Sequence, residues 1–297
     1  MTRLIVESIL KDWALWPTLC ESMPTLKHVT PLVDGLTNSN WLLEVTDRNS
    51  NEGVQQYVIR INATNNLALN LNRQAEWDMH QCISQYNICP AFLYRDPFDK
   101  YWIRPYLKTA TLANNLIENE NFITQALLKK VAGQLHIIHS IPTSKTWPSI
   151  QYIELIDHYW QQINKKQNTT NTNTIKSLLL VRTKLDLKLQ DKLYTPCLCH
   201  MDPNPSNWIL DSDKLHLIDW EYAAMGNRTW DLAVFSDTCN LSEVQIQYFL
   251  ACYGSITPQH FKLASKQMTY LSLLWFYVQN HFTDAELLQK LLTLLDR

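Results

Sequence analysis

The chain has 297 residues, long for one compact core and about right for two lobes. Apolar residues make up 46% and charged residues 18%, which excludes global disorder. Lys and Arg total 26 against 28 Asp and Glu, a net charge of −2, so a nucleic-acid binder working by bulk positive charge is excluded too. Neutral, cationic and metal-bridged ligands stay open. The 7 cysteines are an odd number without a disulfide spacing pattern, and the opening MTRLIVESILKDW has no apolar run followed by a small-residue cleavage site. The greasiest stretch, Tyr270 to Val278, is far short of the ~20 residues a membrane span needs. The expectation is a soluble protein of a reducing cytoplasm. Gly is scarce, at 5, so no phosphate-holding loop here can be glycine-rich.

In chain order, Leu4–Trp16 has helical spacing and stops at Pro17. His28–Val33, Asn40–Val45 and Gln56–Ile61 read as strands, with Gly35 between the first two and the polar Thr46–Gly53 as a hairpin connection. Leu71, Ala75, Met79 and Cys82 mark one face of a helix, with Asn65 and Asn66 as candidate caps. Ala91–Tyr94 and Tyr101–Ile103 predict two more strands around the turn Asp96–Lys100. Residues 1–105 therefore predict a mainly antiparallel sheet with one inserted helix. After Pro105, Leu112–Ile117, Phe122–Ile138 and Ile150–Ile163 predict helices. Gln161–Thr174, almost wholly Asn, Gln, Thr and Lys, reads as a solvated connection within the second lobe, and Ile175–Leu189 as another helix. Cys197–Cys199 with Trp208–Leu210, and Leu215–Ile218, read as short strands flanking polar residues; from Thr229 on the pattern is helical. No internal repeat is visible.

The chemistry concentrates in His200-Met-Asp202-Pro-Asn204-Pro-Ser-Asn207 and Leu217-Ile-Asp219-Trp-Glu221-Tyr222. Asp202 and Asn207 share one short loop, and Asp219 follows 17 residues after Asp202 at the end of an apolar strand. A hairpin would bring the three together. Two carboxylates and an amide suit Mg²⁺, a hard cation that takes a few protein oxygens plus phosphate oxygens and waters. Phosphoryl transfer needs little more: neutralised phosphate charge, and one carboxylate to orient the attacking hydroxyl and accept its proton.

The spacing H-x-D-x4-N followed by I-D-W-E-Y, with Trp230-Asp231-Leu-Ala beyond, resembles the aminoglycoside phosphotransferase and choline kinase branch of the eukaryotic-like kinases. The resemblance covers most of the chain. It implies an α+β, two-lobed protein-kinase-like fold. Residues 1–105 would form a β-rich nucleotide-binding lobe and residues 106–297 a larger helical lobe for catalysis and the acceptor. The hinge would lie near Arg104–Leu107 and the nucleotide in the intervening cleft. By the same resemblance Asp202 is the catalytic base, and Asn207 and Asp219 hold the metal. The Gly35-Leu-Thr37-Asn38-Ser39 loop and Arg60 contact the phosphates of ATP, and Glu76 pairs with Arg60. Read alone, that loop is a plain turn, Arg60 an edge-strand charge and Glu76 a solvated helix residue. His200 and Asp231 are structural, Asp231 as a helix cap or a brace for the loop, and His139 serves packing.

The acceptor is expected to be a small-molecule alcohol: between Asp219 and Trp230 there is no long activation segment on which a peptide could dock. Leu274-Trp275-Phe-Tyr-Val-Gln resembles the helix that surrounds a cationic head group in the choline kinase branch. Quaternary ammonium donates no hydrogen bond, so a carboxylate and aromatic faces are what can hold it. Glu221, Trp220, Tyr222 and Trp275 are the candidates, although Trp275 and its aromatic neighbours are equally consistent with core. Gly35–Asn38 and the 218–233 run resemble bacterial choline kinases; His200-Met-Asp202 and Tyr159-Trp-Gln-Gln resemble bacterial thiamine kinases. Choline leads, thiamine is second, and aminoglycosides lack the expected dense acidic segment. A kinase-fold binding module without catalysis is the alternative from another class. A zinc site on Cys197-Leu-Cys199-His200 lacks a partner pair, and a Cys199–His200 hydrolase fails because adjacent strand residues point to opposite faces. Nucleic acid, membrane and protein partners are not implied.

Overall fold

The computed structural model describes residues 2–16, 23–32, 37–46, 53–63, 71–109, 111–118, 122–165, 172–184, 194–211 and 214–296. It divides into two compact units. The first takes Met1–Arg73 and His80–Thr109, the second Gln74–Met79 and Ala110–Arg297. The expected caps Asn65 and Asn66 lie outside the described residues.

In the first unit, α1 (Thr2–Leu10) is followed by β1 (Thr25–Pro31), β2 (Ser39–Thr46), β3 (Gln55–Ile61), β4 (Tyr94–Arg95) and β5 (Tyr101–Pro105); α2 (Arg73–Ser84) comes between β3 and β4 in the chain, and its residues 74–79 count with the second unit. The strands form one antiparallel sheet in the order β1-β2-β3-β5-β4. Alternation along β2 sends Leu43 and Val45 inward to meet Ile59 and Ile103 and the apolar face of α1 (Val6, Ile9, Leu10). The first helix is shorter than its apolar pattern predicts. It stops at Leu10, and a single 3₁₀ turn over Trp13–Leu15 comes next. Trp16 then packs into the core, where its indole donates to the Tyr101 hydroxyl at 3.2 Å, which in turn donates to Asp12 at 2.9 Å. The predicted strand at Ala91–Tyr94 contracts to Tyr94–Arg95.

The second unit holds α3 (Leu112–Glu118), α4 (Gln125–His139), α5 (Tyr152–Lys165), α6 (Thr172–Lys184), β6 (Cys197–Cys199), β7 (Trp208–Asp211), β8 (Lys214–Leu217), β9 (Ala224–Gly226), α7 (Arg228–Thr238), α8 (Glu243–Tyr253), α9 (Pro258–Val278) and α10 (Asp284–Asp296). From Thr229 to Ser236 every residue of α7 is buried, which makes it the core helix of this unit. Around it the hydroxyl of Tyr152 donates to the Gln267 carbonyl at 2.8 Å, and that of Tyr270 to the Leu178 carbonyl at 3.0 Å. Among the described residues no helix is long and apolar enough to cross a membrane.

Two expectations need correction. Gln161–Thr174 is not simply a connection: α5 runs on to Lys165 with Ile163 fully buried, and α6 starts at Thr172. One apolar residue at the right phase anchors the last turn of α5, whatever the polarity of its neighbours. And β6 pairs with β9, whereas β7 pairs with β8. The pairing partner Ala-Met-Gly is too short and too weak in β propensity to be read from sequence. It is fixed instead by Met225, whose N–H donates to the Pro148 carbonyl at 2.8 Å and whose carbonyl accepts from Ile150 at 2.9 Å.

Gly226 tests that packing. A Cβ there would lie 2.9 Å from the Trp230 ring. That ring is buried, and its indole N–H is held by Gln267 Oε1 at 3.0 Å, so it cannot yield. Gly226→Ala is expected to cost about 1–3 kcal/mol by overpacking. Gly133→Ala, in the middle of α4 with nothing within 4 Å, should instead gain roughly 0.5–1 kcal/mol. Denaturant unfolding of the two variants side by side checks both signs.

Candidate active site

The loop after β6 is held before it reaches Asp202. The backbone N–H groups of His200 and Met201 each donate to the Asp231 carboxylate at 2.8 Å. Met201 has a φ of +70°, a left-handed conformation that costs a non-glycine residue on the order of 1 kcal/mol, and this clamp offsets it. Asp231 is therefore a brace. The cap of α7 is Asn227, whose side-chain oxygen accepts from the Thr229 N–H at 3.0 Å.

His200 is fully buried, and its ring is fully used. Nε2 lies 2.9 Å from the Ile218 carbonyl, which can only accept, so Nε2 carries the proton. Nδ1 is then the acceptor for the Asp202 N–H at 3.3 Å. Burial holds the ring's pKa below the ordinary histidine value, against the nearby Asp231 charge. A neutral ring with both nitrogens engaged is a spacer between the loop and Ile218, not a base.

From there the loop turns through a 3₁₀ segment, Pro205–Asn207, into β7. The Asp202 carboxylate accepts from Asn204 Nδ2 at 2.9 Å and from Asn207 Nδ2 at 3.3 Å, and Asn207 Nδ2 also donates to the Asp202 carbonyl at 2.9 Å. With its NH₂ so used, the amide of Asn207 keeps its oxygen for a cation. The Ile218 N–H donates to the Asn207 carbonyl at 2.9 Å, so the β7–β8 hairpin delivers Asp219 next to the loop, with a φ of +65°. Asn207 and Asp219 are oxygen donors of the kind Mg²⁺ takes, which fits the expected metal. Burial pushes the Asp202 carboxyl up to about 7; the Asn204 hydrogen bond opposes this and the Asp219 charge adds to it.

The acceptor candidates divide. Glu221 is buried, and its charge, secondary to burial, helps raise the pKa of Tyr159. Trp275 Nε1 donates to the Tyr222 hydroxyl at 2.9 Å, and the Trp275 ring stacks on His281 at 5.9 Å. Trp220 is a correction. It is 1% exposed, its indole donates to the Leu217 carbonyl, and its ring lies edge-on to His200 at 4.6 Å. It is core behind the loop and forms no acceptor wall.

In the first unit, Gly35 lies outside the described residues, Thr37 is half-buried and Ser39 exposed. Asn38 is buried, and its side-chain oxygen accepts from the Ala63 N–H at 3.1 Å and from Arg73 at 3.0 Å. Arg60 is no edge charge. Its strand β3 has neighbours on both sides, Nε donates to Asn62 at 3.0 Å, and the guanidinium lies 4.4 Å over the Trp102 ring. Glu76, on α2 and within the stretch that counts with the second unit, is buried.

Two residues carry more than their sequence context conveys. Asn204 holds the carboxylate of Asp202; an asparagine inside the loop is the only signal it leaves. His139, expected to serve packing, sits 3.1 Å from Asp231 through Nε2 and 2.8 Å from the Tyr253 hydroxyl through Nδ1. It also lies within 4.8 Å of Cys197 and Cys199. With both ring nitrogens hydrogen-bonded, those three residues do not present a metal site.

The family model described as choline/ethanolamine kinase matches residues 29–292. Protein LicA of Haemophilus influenzae is 24% identical over 264 residues, 84% of this chain and 73% of that protein. A LicA homolog of Metamycoplasma hominis is 28% identical over 163 residues, 54% of this chain, and the match spans only 63% of the relative's length. A thiamine kinase of Escherichia coli is 28% identical over 158 residues, 52% of this chain and 48% of that protein. Choline kinase LicA from Streptococcus pneumoniae has the same α+β fold, with a TM-score of 0.76 at 21% identity over 98% of this chain and 99% of that one. The family match runs from the first strand of the sheet to the last helix, and with it the chain belongs to the choline/ethanolamine kinase family.

Proposed function

We propose that the chain transfers the γ-phosphoryl group of ATP, with Mg²⁺, to the hydroxyl of a small cationic alcohol, choline ahead of thiamine. The observation that carries the reading is the clasped Asp202: a carboxylate fixed by Asn204 and Asn207 on a loop clamped by Asp231. Asp202 orients the hydroxyl and takes its proton. Asn207 and Asp219 hold Mg²⁺, which when bound offsets phosphate charge. Gly35 and Thr37 between β1 and β2, Ser39 at the start of β2, and Arg60 hold the phosphates; Asn38 ties the start of β2 to Ala63 and Arg73, and Glu76 orients Arg60 as the resemblance implies. Residues 1–105 serve the nucleotide and residues 106–297 the chemistry and the acceptor. Glu221, with Tyr222 and Trp275, receives the cation. The LicA relatives favour choline. The thiamine kinase relative supports the second reading, as does the burial of Tyr159 near Glu221.

The test is Mg²⁺-dependent ADP release with choline, ethanolamine, thiamine and an aminoglycoside side by side. Choline should turn over best. Nucleotide binding without ADP release from any of the four would replace the enzyme with a binding module. Asp202→Asn should lose on the order of 10³-fold or more in rate with nucleotide binding intact, whereas Asp219→Ala should weaken Mg²⁺–nucleotide binding too. Near-full turnover by Asp202→Asn would remove the base assignment.

Glu221→Gln keeps the shape and removes the charge. It should raise the KM for the cationic acceptor about tenfold, the effect of roughly 1.4 kcal/mol, with the KM for ATP little changed. Unchanged acceptor kinetics would sink the cationic pocket while leaving the phosphotransfer intact.

The raised pKa of Asp202 also has a stability consequence. Between its unfolded value and about 7 the native state holds this proton more tightly than the unfolded chain does. Stability therefore falls as pH rises through that window. Metal-free Asp202→Asn should melt above wild type at pH 8, with the gap closing toward pH 5; parallel melting curves at both pH values would contradict the shift.

A further inference from the structure

Within the second unit, away from Asp202, a cavity of about 270 Å³ opens at the N-terminus of α7. Its lining includes Tyr194, Arg228, Thr229, Ser255, His260 and Gln267, and among the described residues no carboxylate lines it. Gln267 precedes Trp275 by eight residues on α9, a rise of about 12 Å, so the cavity is separate from the acceptor candidates. At β6, the lining residue Thr195 precedes the strand and the Asp202 loop comes after it.

Gln267 is the informative residue. It is 3% exposed, and its Oε1 accepts from Trp230 Nε1 at 3.0 Å. An indole N–H can only donate, so the orientation of the amide is fixed. Its Nε2 then carries two hydrogens and has no hydrogen-bond partner among the described residues. A buried donor left this way is costly, and in native structures it usually marks a missing partner. Beside it, the guanidinium of Arg228 makes no hydrogen bond or ion pair among the described residues, and the side chain of His260 makes none either. The Thr229 hydroxyl and the positive end of the 11-residue helix α7 complete a set composed of donors and positive charge.

We propose that this cavity binds a small oxyanion of the phosphate class, either inorganic phosphate or the head of a phosphomonoester, with Arg228, Gln267 Nε2 and Thr229 as the primary donors and His260 at the rim. Arg228 supplies a planar fork matched to two phosphate oxygens. The site is independent of the phosphates of ATP and of the acceptor's identity. It is coupled to the loop by position: Asp231, three residues after Arg228 on α7, clamps the backbone of His200 and Met201.

The test is a titration of the ¹⁵N-labelled protein with inorganic phosphate at constant ionic strength, monitored by amide spectra, with methyl phosphate as a second arm and chloride as control. The Gln267 side-chain NH₂, the Trp230 indole N–H and the Thr229 amide should shift saturably, and Arg228→Gln should weaken the binding at least tenfold with ADP release unchanged. Comparable binding of methyl phosphate assigns the monoester head; binding of phosphate alone assigns the free ion. Should Arg228→Gln not fold, His260→Asn and the wild-type spectra still decide. The proposal is overturned if those three resonances stay still while phosphate acts only elsewhere, or if folded Arg228→Gln binds as wild type does.

Discussion

The carboxylate of Asp231 accepts two backbone N–H groups from the start of the 200–207 loop and faces the His139 ring, and the geometry of the proposed chemistry hangs on it. A carboxylate so deeply buried is tolerable only when its oxygens are satisfied by strong donors. Here the satisfying donors are the ones that a left-handed Met201 would otherwise leave exposed. The clamp thus offsets two costs together: a buried charge and a strained residue. His139 is held from its other side by Tyr253 on α8, so the helix that packs against α4 takes part in fixing the loop.

Beyond the clamp, neutral spacers lead to one charged tip. His200, neutral with both nitrogens used, sets the distance from the loop to Ile218. Trp220 backs the imidazole edge-on. In Ile218-Asp-Trp-Glu-Tyr, four consecutive polar or aromatic side chains take different tasks because the chain turns sharply at Asp219: Trp220 goes to the core, and Tyr222 reaches Trp275. Its aromatic ring and its place beside Glu221 put Trp220 with the acceptor; the turn decides otherwise.

Much of the fold and of the site is legible in the sequence, and the rest escapes it for identifiable reasons. Strands of seven or eight residues with apolar alternation, such as β2 and β3, announce themselves. So does a loop in which three oxygen-bearing residues come after a histidine between two apolar strands, since packing gives no reason for those residue types there. β9 carries only three residues and is held by Pro148 and Ile150, contacts far away in sequence. The end of α5 is hidden by its polar surface, and only the burial of Ile163 reveals it. The part played by His139 is invisible because it depends on α4, α7 and α8 meeting at one point, and no local pattern encodes that.

The scarcity of glycine ties composition to mechanism. Loops that approach phosphate are usually shaped by glycine, whose backbone adopts the needed conformations without steric penalty. This chain has 5 glycines in 297 residues and fixes its bends with side chains. Asn38 draws the segment before β2 to Ala63 and Arg73, and Asp96 closes its turn by accepting from Phe98 and Lys100 at 2.9 and 3.0 Å. Asn204 does the same beside Asp202, accepting from the Ser206 N–H through Oδ1 at 2.9 Å while its Nδ2 donates to the carboxylate. Side-chain tethers give a turn a single conformation where glycine would leave several, and they lower the entropy lost when a ligand arrives. Pre-shaping of this kind suits the proposed transfer to a small, sparsely functionalised alcohol, because such an acceptor would bring little binding energy with which to order a flexible loop.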